Sequence, residues 1–384
     1  MKWSLIRRKL ARVDRVIDKA IAKAELPGAV VFARMPRESE VIEHVSVRGH
    51  AVLRPERLPM ARETIFDLAS LTKPLATTTA ILWLVHDGAV GLDDPVSKYL
   101  PLFSERDKDA VTLRHLLTHS SGLKPWRAFH ELLLEKERKT GEQLMTTPAA
   151  REFVIDRVLR SGLVHESGAA AVYGDLDFIA LGAVVEAVAH CGLDAFCHER
   201  IFAPLGMRDT FFAPLAEGAR LTEPVRRRVA ATENCSWRER VLWGEVHDPN
   251  AWAMGGVAGH AGLFSSADDV MRFAQVILDV WHDRSDALPR DLLRRFTERQ
   301  EIPAGSDWAL GWDTPTQAAS SSGRHFSPRS IGHLGFTGTS LWIDLEREAV
   351  VVMLTNRVHQ VAKKSRFDLR PIVHDLILEA FAAG

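Results

Sequence analysis

A serine and a lysine three residues apart, Ser70 and Lys73, open the apolar segment SLTKPLATTTAILWLV. Pro74 follows at once, and because proline suits only the first turn of a helix, a helix is predicted to begin at about Ser70. Lys73 then lies on the same helix face as Ser70. A serine hydroxyl needs a neighbouring base to become a nucleophile, and burial of this helix would lower the pKa of Lys73 as that role requires. The pair alone leaves open a serine that merely caps the helix beside an unreactive lysine.

Two further segments carry residues that could complete a catalytic site. Tyr173, one of two tyrosines in the chain, stands in GAAAVYGDLDFIALG just before an apolar helical pattern, where a loop could direct its phenol into a cleft. The segment GHLGFTGTSLWIDL is predicted to open a strand, and its glycines at 332, 335 and 338 would let a ligand lie against the backbone. Together these segments predict a hydroxyl, an amine and a phenol at one cleft.

Three motifs occur in the order and spacing of a known family: Ser70-Leu-Thr-Lys73, Tyr173-Gly-Asp175 and His333-Leu-Gly335. They resemble the motifs of the serine β-lactamases and penicillin-binding proteins, most closely the class C-like branch with its D-alanyl-D-alanine peptidases, esterases and amidases. The resemblance extends from about residue 25 to 380 through GLDDPVSKYLP, TLRHLLTHSSGL, IFAPLGMRDTFF and LTNR. The stretch GEVHDPNAWAMGGVAGHAGLFS resembles the branch of bacterial serine hydrolases linked to cell-wall turnover.

This resemblance implies a role for each motif residue. Ser70 would attack a carbonyl group and form a covalent acyl-enzyme, while Lys73 and Tyr173 would share the work of base and acid in an order that the sequence leaves open. The backbone N–H groups of Ser70 and Phe336 would form the oxyanion hole, and His333 would be a fourth catalytic residue. Further substrate contacts are implied at Asp175, Gly335 and Thr337.

The third motif departs from the usual family pattern at two positions. His333 replaces the lysine of true β-lactamases; it can donate a hydrogen bond but is expected to be only partly charged near neutral pH. Leu334 replaces a hydroxyl residue that helps to hold a substrate carboxylate. Thr337 or Thr339 could substitute for it, yet the change favours an amidase or esterase over a β-lactamase or carboxypeptidase.

The second motif has Asp175 where asparagine is commoner in the family. A carboxylate only accepts hydrogen bonds, so Asp175 could pair with Lys73, keep it protonated and thereby favour Tyr173 as the base. Alternatively, Asp175 could simply cap the helix that follows it. The sequence leaves both interpretations open.

The leading hypothesis is a serine hydrolase that acts through an acyl-enzyme on an amide or ester, with peptidoglycan-derived peptides as candidate substrates. A promiscuous esterase or a weak β-lactamase is the second interpretation. A third is a penicillin- or peptidoglycan-binding protein that is acylated on Ser70 and does not turn over. Steady hydrolysis of an activated ester separates the first two from the third.

Strand patterns at both ends of the chain flank a block of helical patterns. The segments GAVVFARMP and VIEHVSVRGHAVL are predicted to pair antiparallel, and AVVVMLTNR gives a further strand before a final amphipathic helix from about 368 to 383. We therefore predict an α/β fold of the α+β type, in which N- and C-terminal strands form one antiparallel sheet flanked by helices, with an inserted, mostly helical region. Residues 1–69 and 213–384 would form the sheet domain, residues 70–212 the helical domain, and the active site would lie at their junction.

Charge and hydropathy exclude several classes of partner. A net charge of -1 over 384 residues gives no electrostatic footprint for nucleic acid, so the expected partner is a small-molecule or peptide substrate. No apolar run is long enough to span a bilayer, and no integral membrane segment is expected. The N-terminal segment is interrupted by charges and lacks the apolar block of a signal peptide, so a cytoplasmic location is expected, or export if the start of the chain is misassigned. The oligomeric state stays open.

Neither a disulfide framework nor a metal or other cofactor is predicted. The three cysteines are an odd number at no metal-like spacing, and they are expected to be small buried side chains. His115 and His119 have the spacing of a zinc pair on a helix, but no third ligand follows them. Five other residues are candidates for the wall of the cleft: His247, Asp248, Trp252, His260 and Trp308.

Overall fold

The computed structural model describes residues 2–37, 40–106, 108–216, 221–359 and 368–383. The strands within these ranges are β1 (Gly28–Arg37), β2 (Glu40–Val52), β3 (Leu58–Pro59), β4 (Ile65–Asp67), β5 (Phe211–Phe212), β6 (Asn234–Cys235), β7 (Arg240–Val241), β8 (Leu263–Ser266), β9 (Ser330–Leu334), β10 (Ser340–Asp344) and β11 (Ala349–Thr355). The α-helices within them are α1 (Lys2–Ala22), α2 (Thr79–His86), α3 (Leu113–Leu117), α4 (Phe129–Thr140), α5 (Pro148–Leu159), α6 (Leu176–Ala189), α7 (Leu193–Cys197), α8 (Glu223–Arg226), α9 (Pro249–Ala253), α10 (Ala267–Trp281), α11 (Arg290–Thr297) and α12 (Arg370–Phe381).

A six-stranded antiparallel sheet joins the two ends of the chain in the order β3-β2-β1-β11-β10-β9. The N-terminal strand β1 lies between β2 and the C-terminal strand β11, so that Ala29 faces Arg48 on one side and Thr355 on the other. The predicted antiparallel sheet of N- and C-terminal strands is confirmed. A second sheet has the strand order β4-β8-β5, and its strand β4 directly precedes the segment that carries Ser70 along the chain.

Alternate side chains of the central strands enter two hydrophobic cores, as the pleat of a strand requires. Val31 of β1 packs with α1 and α12 on one face, whereas Val30 enters the larger core that contains α10, α2 and α6 on the other. The apolar residues of α1 are spaced so that they lie on one face of the helix, and this face is buried in the smaller core: Ile6, Leu10, Val13 and Ile17. Because both faces of the sheet are buried, the position of the edge strand β9, which carries the third motif, is fixed.

The helical segment that begins near Ser70 is not a regular α-helix. A 3₁₀ turn, Ala69–Leu71, precedes a π-helical stretch, Lys73–Thr78, and α2 begins only at Thr79. Pro74 has no N–H to donate, and its carbonyl accepts the Thr79 hydroxyl at 2.9 Å, which interrupts the α-helical ladder. The sequence predicts where this helix begins but not its π geometry.

Residues 330–344 form a hairpin rather than one strand running through the glycines at 335 and 338. β9 ends at Leu334, and a tight turn leads into β10. Gly338 has a φ of +103°, and a Cβ at Gly335 would lie 2.5 Å from the Leu68 carbonyl oxygen, so the turn requires glycine at both positions. The close approach at Gly335 places the turn against the backbone that precedes Ser70.

Three other expectations concern cysteines, membrane spans and domains. Cys197 and Cys235 are buried as predicted, whereas Cys191 is exposed, and all three are free thiols. Among the described helices, none alone has the length and apolar content of a membrane span. One pair of helical segments, Leu176–Ala189 and Leu193–Phe202, has them only when taken together, and the two segments are bent by 79° relative to each other. The division into the two domains stays a prediction.

Candidate active site

Lys73 lies at the centre of a group of polar side chains. Its ammonium nitrogen donates to Ser70 Oγ at 3.1 Å, to the Tyr173 phenolic oxygen at 2.8 Å and to Asp175 Oδ1 at 2.8 Å. Lys73 is fully buried, whereas Tyr173 is 41% exposed and Ser70 is partly exposed. The structure therefore brings the hydroxyl, the amine and the phenol of the first two motifs together, with the ammonium beneath the two reactive oxygens.

These side chains reach the site from two directions. Ser70 follows β4, and Ala69 has a left-handed φ of +49° that turns the chain sharply into the 3₁₀ segment. Tyr173 and Asp175 lie in the loop before α6, which is buried almost all round and so holds the end of that loop. The nucleophile segment and the loop thus belong to different elements that meet at Lys73.

The pair of Lys73 and Asp175 decides the charge of the lysine. Burial on its own lowers the pKa of Lys73, but the Asp175 carboxylate and Tyr173 together raise it above its ordinary value. Asp175 occupies the N-cap position of α6, yet its side chain makes no cap hydrogen bond. Lys73 is therefore a positive ammonium rather than the desolvated amine that burial alone predicts, and of the two interpretations of Asp175 the structure favours the pairing.

The turn between β9 and β10 is fastened to the backbone in front of Ser70. Two threonine hydroxyls donate to consecutive carbonyls there: Thr337 Oγ1 to Asp67 at 2.7 Å and Thr339 Oγ1 to Leu68 at 3.0 Å. These bonds fasten the turn that contains Phe336 to the chain leading into Ser70, and both residues line the same cavity. An oxyanion hole made of their two backbone N–H groups stays a prediction, which requires both groups to face this cavity.

Thr337 does not make the substrate contact that the sequence predicts. Its side chain is 1% exposed, its hydroxyl is bonded within the fold, and it does not line the cavity. Thr339 is equally buried and bonded, so it does not substitute for the hydroxyl missing at Leu334. Both threonines position the turn instead, because the turn must be fixed to the chain that carries the nucleophile.

His333, near the end of β9, is a buried neutral imidazole. Its Nδ1 lies 2.8 Å from the Leu334 carbonyl oxygen, and because a carbonyl only accepts, Nδ1 carries the proton. Burial, and then the Lys73 ammonium, hold the pKa of His333 well below its ordinary value. Nε2 is buried and has no partner among the described residues. The expected partial charge is corrected accordingly: His333 is uncharged, and its one proton is on Nδ1, directed at the Leu334 carbonyl.

A cavity of about 700 Å³ opens over these residues. Its wall includes six of the predicted site residues: Ser70, Tyr173, Asp175, His333, Gly335 and Phe336. Four of the five candidates for the cleft wall also line it, namely His247, Asp248, His260 and Trp308. Trp252 does not, because its indole packs against Trp237 and donates to Glu245 Oε2 at 2.8 Å.

Comparison with known proteins shows the family of this chain. A sequence model of the Beta-lactamase family matches residues 13–373. The chain belongs to the beta-lactamase family. An N-acetylmuramyl-L-alanine amidase of Bacillus subtilis (strain 168) is 31% identical over 380 residues, covering 92% of this chain and 82% of that protein. A Salmonella typhi protein, provisionally named a D-alanyl-D-alanine carboxypeptidase, is 30% identical over 335 residues, covering 82% and 74%.

Solved structures of other proteins have the same fold. A penicillin-binding protein homologue from Pyrococcus abyssi has a TM-score of 0.70 at 21% identity, covering 97% of this chain and 76% of that one. A hydrolase with promiscuous acyltransferase activity also has a TM-score of 0.70, at 23% identity, covering 97% and 99%. The predicted fold class is confirmed, and membership of the beta-lactamase family makes the protein a serine hydrolase of amide or ester substrates.

Sequence reasoning missed several residues in the wall of the beta-lactamase-type cleft. Trp126 is 49% exposed at the cavity, and nothing in its sequence context separates it from the other nine tryptophans. Arg357 also lines the cavity; it is the last residue of the LTNR segment, which the sequence analysis used only as part of the family resemblance. Arg370, in the first turn of α12, donates at 3.0 Å to the carbonyls of Gly335 and Thr339, so it supports the turn of the third motif.

His115 and His119, which have the sequence spacing of a zinc pair, both have other partners in the structure. The ring of His115 completes a capping box with Thr112 at the start of α3, and His119 contacts Gly174 and Asp177. Among the described residues, one group of ligand atoms lies close enough for a metal ion, from Asp175, Asp248 and His260. Asp175 already accepts from Lys73 and Asp248 from His260 at 2.9 Å, so a metal ion would have to displace both bonds, and we assign none.

Proposed function

We propose that this hydrolase is an amidase that cleaves the bond between an N-acetylmuramyl group and a peptide through an acyl-enzyme at Ser70. The observation that carries the substrate class is the third motif, where neither His333 nor Leu334 presents a donor to a substrate carboxylate. The Bacillus subtilis relative, which covers 92% of this chain, supports the same class through its name.

In the acylation step, the Lys73 ammonium stabilises negative charge on the Tyr173 oxygen, since it donates to that oxygen at 2.8 Å. The phenolate takes the proton of Ser70, and Ser70 Oγ attacks the carbonyl carbon of the amide. The backbone N–H groups of Ser70 and Phe336 bind the oxyanion. Tyr173 then gives the proton to the leaving nitrogen, the C–N bond breaks, and an ester of Ser70 remains.

Deacylation uses the same groups in the reverse order. Tyr173 takes a proton from a water molecule, whose oxygen attacks the ester carbon in the same oxyanion hole. The proton returns to Ser70 Oγ as the carboxylic acid leaves. Because Lys73 is held as an ammonium by Asp175, it keeps its charge through both half-reactions and does not act as the primary base.

The leaving group distinguishes an amidase from a carboxypeptidase. A terminal D-alanine carries a carboxylate next to the cleaved amide, and a carboxylate requires hydrogen-bond donors. A muramyl peptide presents a neutral peptide group there, which requires no charged donor, so the lack of a donor at His333 and Leu334 does not oppose its binding. Leu334 adds apolar surface, and the exposed indole of Trp126 gives a flat apolar face on which a sugar ring can pack.

One observation supports a D-alanyl-D-alanine carboxypeptidase as a second candidate. Arg357 lines the cavity and donates to the Phe336 carbonyl at 3.3 Å from Nε and at 3.2 Å from Nη2. Among the residues that the structure describes, no carboxylate forms a close ion pair with Arg357, and Asp368 acts on it only at longer range. The free N–H groups of its guanidinium could therefore bind a substrate carboxylate.

The test compares the wild type with Ser70→Ala on four substrates: an N-acetylmuramyl-L-alanyl peptide, a D-alanyl-D-alanine peptide, nitrocefin and p-nitrophenyl acetate. We expect the wild type to release the peptide from its muramyl group, and Ser70→Ala to be inactive on every substrate. Faster release of D-alanine, lost in Arg357→Gln, would replace the proposal by the second candidate. A single burst on the ester without turnover would indicate a binding protein, and absence of a fluorophosphonate adduct on Ser70 would exclude all three.

A substitution at the third motif tests the argument about the carboxylate. Leu334→Thr supplies the hydroxyl that this position lacks, and one hydrogen bond to a charged group contributes about 1.5 kcal/mol, or roughly tenfold in rate. We expect kcat/KM for nitrocefin and the D-alanyl-D-alanine peptide to rise about tenfold. Leu334→Val, which has the shape of threonine without the hydroxyl, is the control, and an equal gain in both variants would refute the argument.

A cytoplasmic location also remains a proposal. It would make the substrate a wall fragment that has been taken up by the cell rather than the intact wall. Fractionation of cells that express the full chain with a C-terminal tag tests this, and recovery of the protein outside the cytoplasm would overturn it.

A further inference from the structure

Behind Tyr173, on the side away from the cavity, three buried polar side chains form a connected group. His119 Nδ1 lies 3.3 Å from Asp177 Oδ2, and the Ser121 hydroxyl donates to Asp177 Oδ1 in a short hydrogen bond. His119 is 2% exposed, Ser121 1% and Asp177 3%. The chemistry described above uses none of them, although buried polar groups are costly unless they are bonded for a reason.

His119 contacts both residues that flank Tyr173. The backbone N–H of Val172 donates to the His119 carbonyl at 2.8 Å, and the backbone N–H of Gly174 donates to His119 Nδ1 at 3.3 Å. The imidazole also packs edge-on against the Tyr173 ring, with 4.8 Å between the ring centroids. The loop that carries the phenol is thus held from both sides by one residue of the TLRHLLTHSSGL segment.

The hydrogen bond from Gly174 fixes where the protons lie. A backbone N–H can only donate, so the Gly174 contact favours His119 Nδ1 as the acceptor. The proton of His119 is then on Nε2, which is buried and has no partner among the described residues, so this tautomer is kept by the contacts at Nδ1. A carboxylate has only acceptor sites and would face the lone pair of Nδ1 unfavourably. Asp177 Oδ2 therefore carries a proton and donates it to Nδ1, while Oδ1 accepts from Ser121.

We propose that His119 and a protonated Asp177 are positioning residues that hold Tyr173 in its reactive orientation. The inference rests on the proposed role of Tyr173 as the base, and it concerns how that residue is held rather than which substrate is cleaved. It predicts that loss of the Asp177 proton, and not loss of a charge, is what disturbs the site.

The electrostatic environment agrees with this protonation state. Burial raises the pKa of Asp177 to about 8, with Ser121 and Lys73 opposing the rise and Asp175 adding to it. Burial, and then Lys73, lower the pKa of His119 to about 3. The charged or titratable groups that face Asp177 are Lys73, Asp175, His119 and His165. At pH 7 Asp177 and His119 are both neutral.

The test uses two substitutions of similar size at Asp177. Asp177→Asn keeps a donor towards His119 and an acceptor towards Ser121, whereas Asp177→Leu keeps the shape and removes both. With p-nitrophenyl acetate, we expect Asp177→Asn to retain kcat within about threefold at pH 7, and Asp177→Leu to lower kcat at least tenfold with little change in KM. Circular dichroism and urea unfolding establish that each variant is folded.

The pH profile supplies a readout that a merely structural residue would not move. In the wild type, kcat should fall above about pH 8 as Asp177 loses its proton, and Asp177→Asn should remove that fall. The infrared difference spectrum of wild type minus Asp177→Asn should contain a protonated carboxylic acid band at pH 7. An inactive Asp177→Asn that is folded, an unchanged alkaline limb, or a carboxylate band at pH 7 would overturn the inference.

Tyr173→Phe separates failure of this inference from failure of the proposed function. If Tyr173→Phe leaves the ester activity unchanged, the proposed role of Tyr173 fails and the inference fails with it. If Tyr173→Phe abolishes activity while Asp177→Asn and Asp177→Leu behave alike, only the inference fails. The activated ester makes this outcome independent of the natural substrate.

Discussion

Replacing Asp175 by asparagine tests whether the folded protein holds Lys73 as a charged ammonium. The ammonium nitrogen lies 2.8 Å from Asp175 Oδ1, and the Lys73 side chain is fully buried while that of Asp175 is 20% exposed. Removing one partner of a buried ion pair costs about 3–5 kcal/mol of stability. Because Asp175 is partly exposed to water, we expect Asp175→Asn to lose about 3 kcal/mol, the lower end of that range.

The pH dependence of this loss has a definite sign. In the wild type the pKa of Lys73 is raised, although burial opposes the rise, so the stabilisation is fully present below the ordinary lysine pKa and is lost as the pH rises through the raised value. In Asp175→Asn, the Asp175 charge no longer opposes burial, which is already the largest single influence, and burial then lowers the pKa of Lys73. The variant can then release the proton in mildly alkaline solution, so the difference in stability from the wild type should shrink as the pH rises from 7 to 9.

Urea unfolding followed by circular dichroism at pH 7 and pH 9 measures both effects. Glu135→Gln is the matched control, because it breaks an exposed lysine–carboxylate pair, Lys139–Glu135, on the surface of α4. An exposed pair of this kind contributes about 0.5 kcal/mol or less. If Asp175→Asn destabilises the protein no more than Glu135→Gln, or by the same amount at both pH values, the account of Lys73 is refuted.

Two further predictions concern the reactive groups and the turn that faces them. Tyr173→Phe should lower kcat for p-nitrophenyl acetate by about 10²- to 10⁴-fold with little change in KM, because it removes the proton-transfer group. A steady-state loss below tenfold would instead assign the base role to Lys73. Thr337→Val should cost about 1 kcal/mol in urea unfolding, since it removes the bond to the Asp67 carbonyl, and should lower kcat more than it raises KM. An unchanged kcat would mean that the Phe336 N–H is held in place without this bond.

Local sequence patterns predicted helices and strands well wherever a residue type favours a single backbone conformation or position. Pro74 marked the start of a helix because its missing N–H suits only a first turn. The antiparallel sheet followed from β-branched runs at the two ends of the chain. The π-helical stretch was not predictable in this way, because it depends on where the Thr79 hydroxyl and the surrounding core hold the backbone.

The sequence predicted which residues form the site better than it predicted their protonation states. Motif spacing identified Ser70, Lys73 and Tyr173, which the structure brings together. The charge of Lys73 and the proton position on His333 depend on which oxygens lie within 3 Å, and sequence spacing does not contain that information. Thr337 was misjudged for the same reason, since a hydroxyl beside a catalytic motif can serve either a ligand or the fold.

Lys73 and His333 are both buried bases beside one cavity, and their neighbours give them opposite charges. Burial lowers the pKa of each, but Lys73 has the Asp175 carboxylate at 2.8 Å, whereas His333 has only a backbone carbonyl and the repulsion of Lys73. A fixed positive charge therefore lies next to the nucleophile, and an uncharged imidazole lies near Tyr173, whose ring centroid is 5.7 Å from that of His333. Neither group offers a hydrogen-bond donor to a terminal carboxylate, because Lys73 donates to Ser70, Tyr173 and Asp175 and the proton of His333 faces the Leu334 carbonyl. A neutral peptide group requires no such donor, and this difference favours an amidase over a carboxypeptidase.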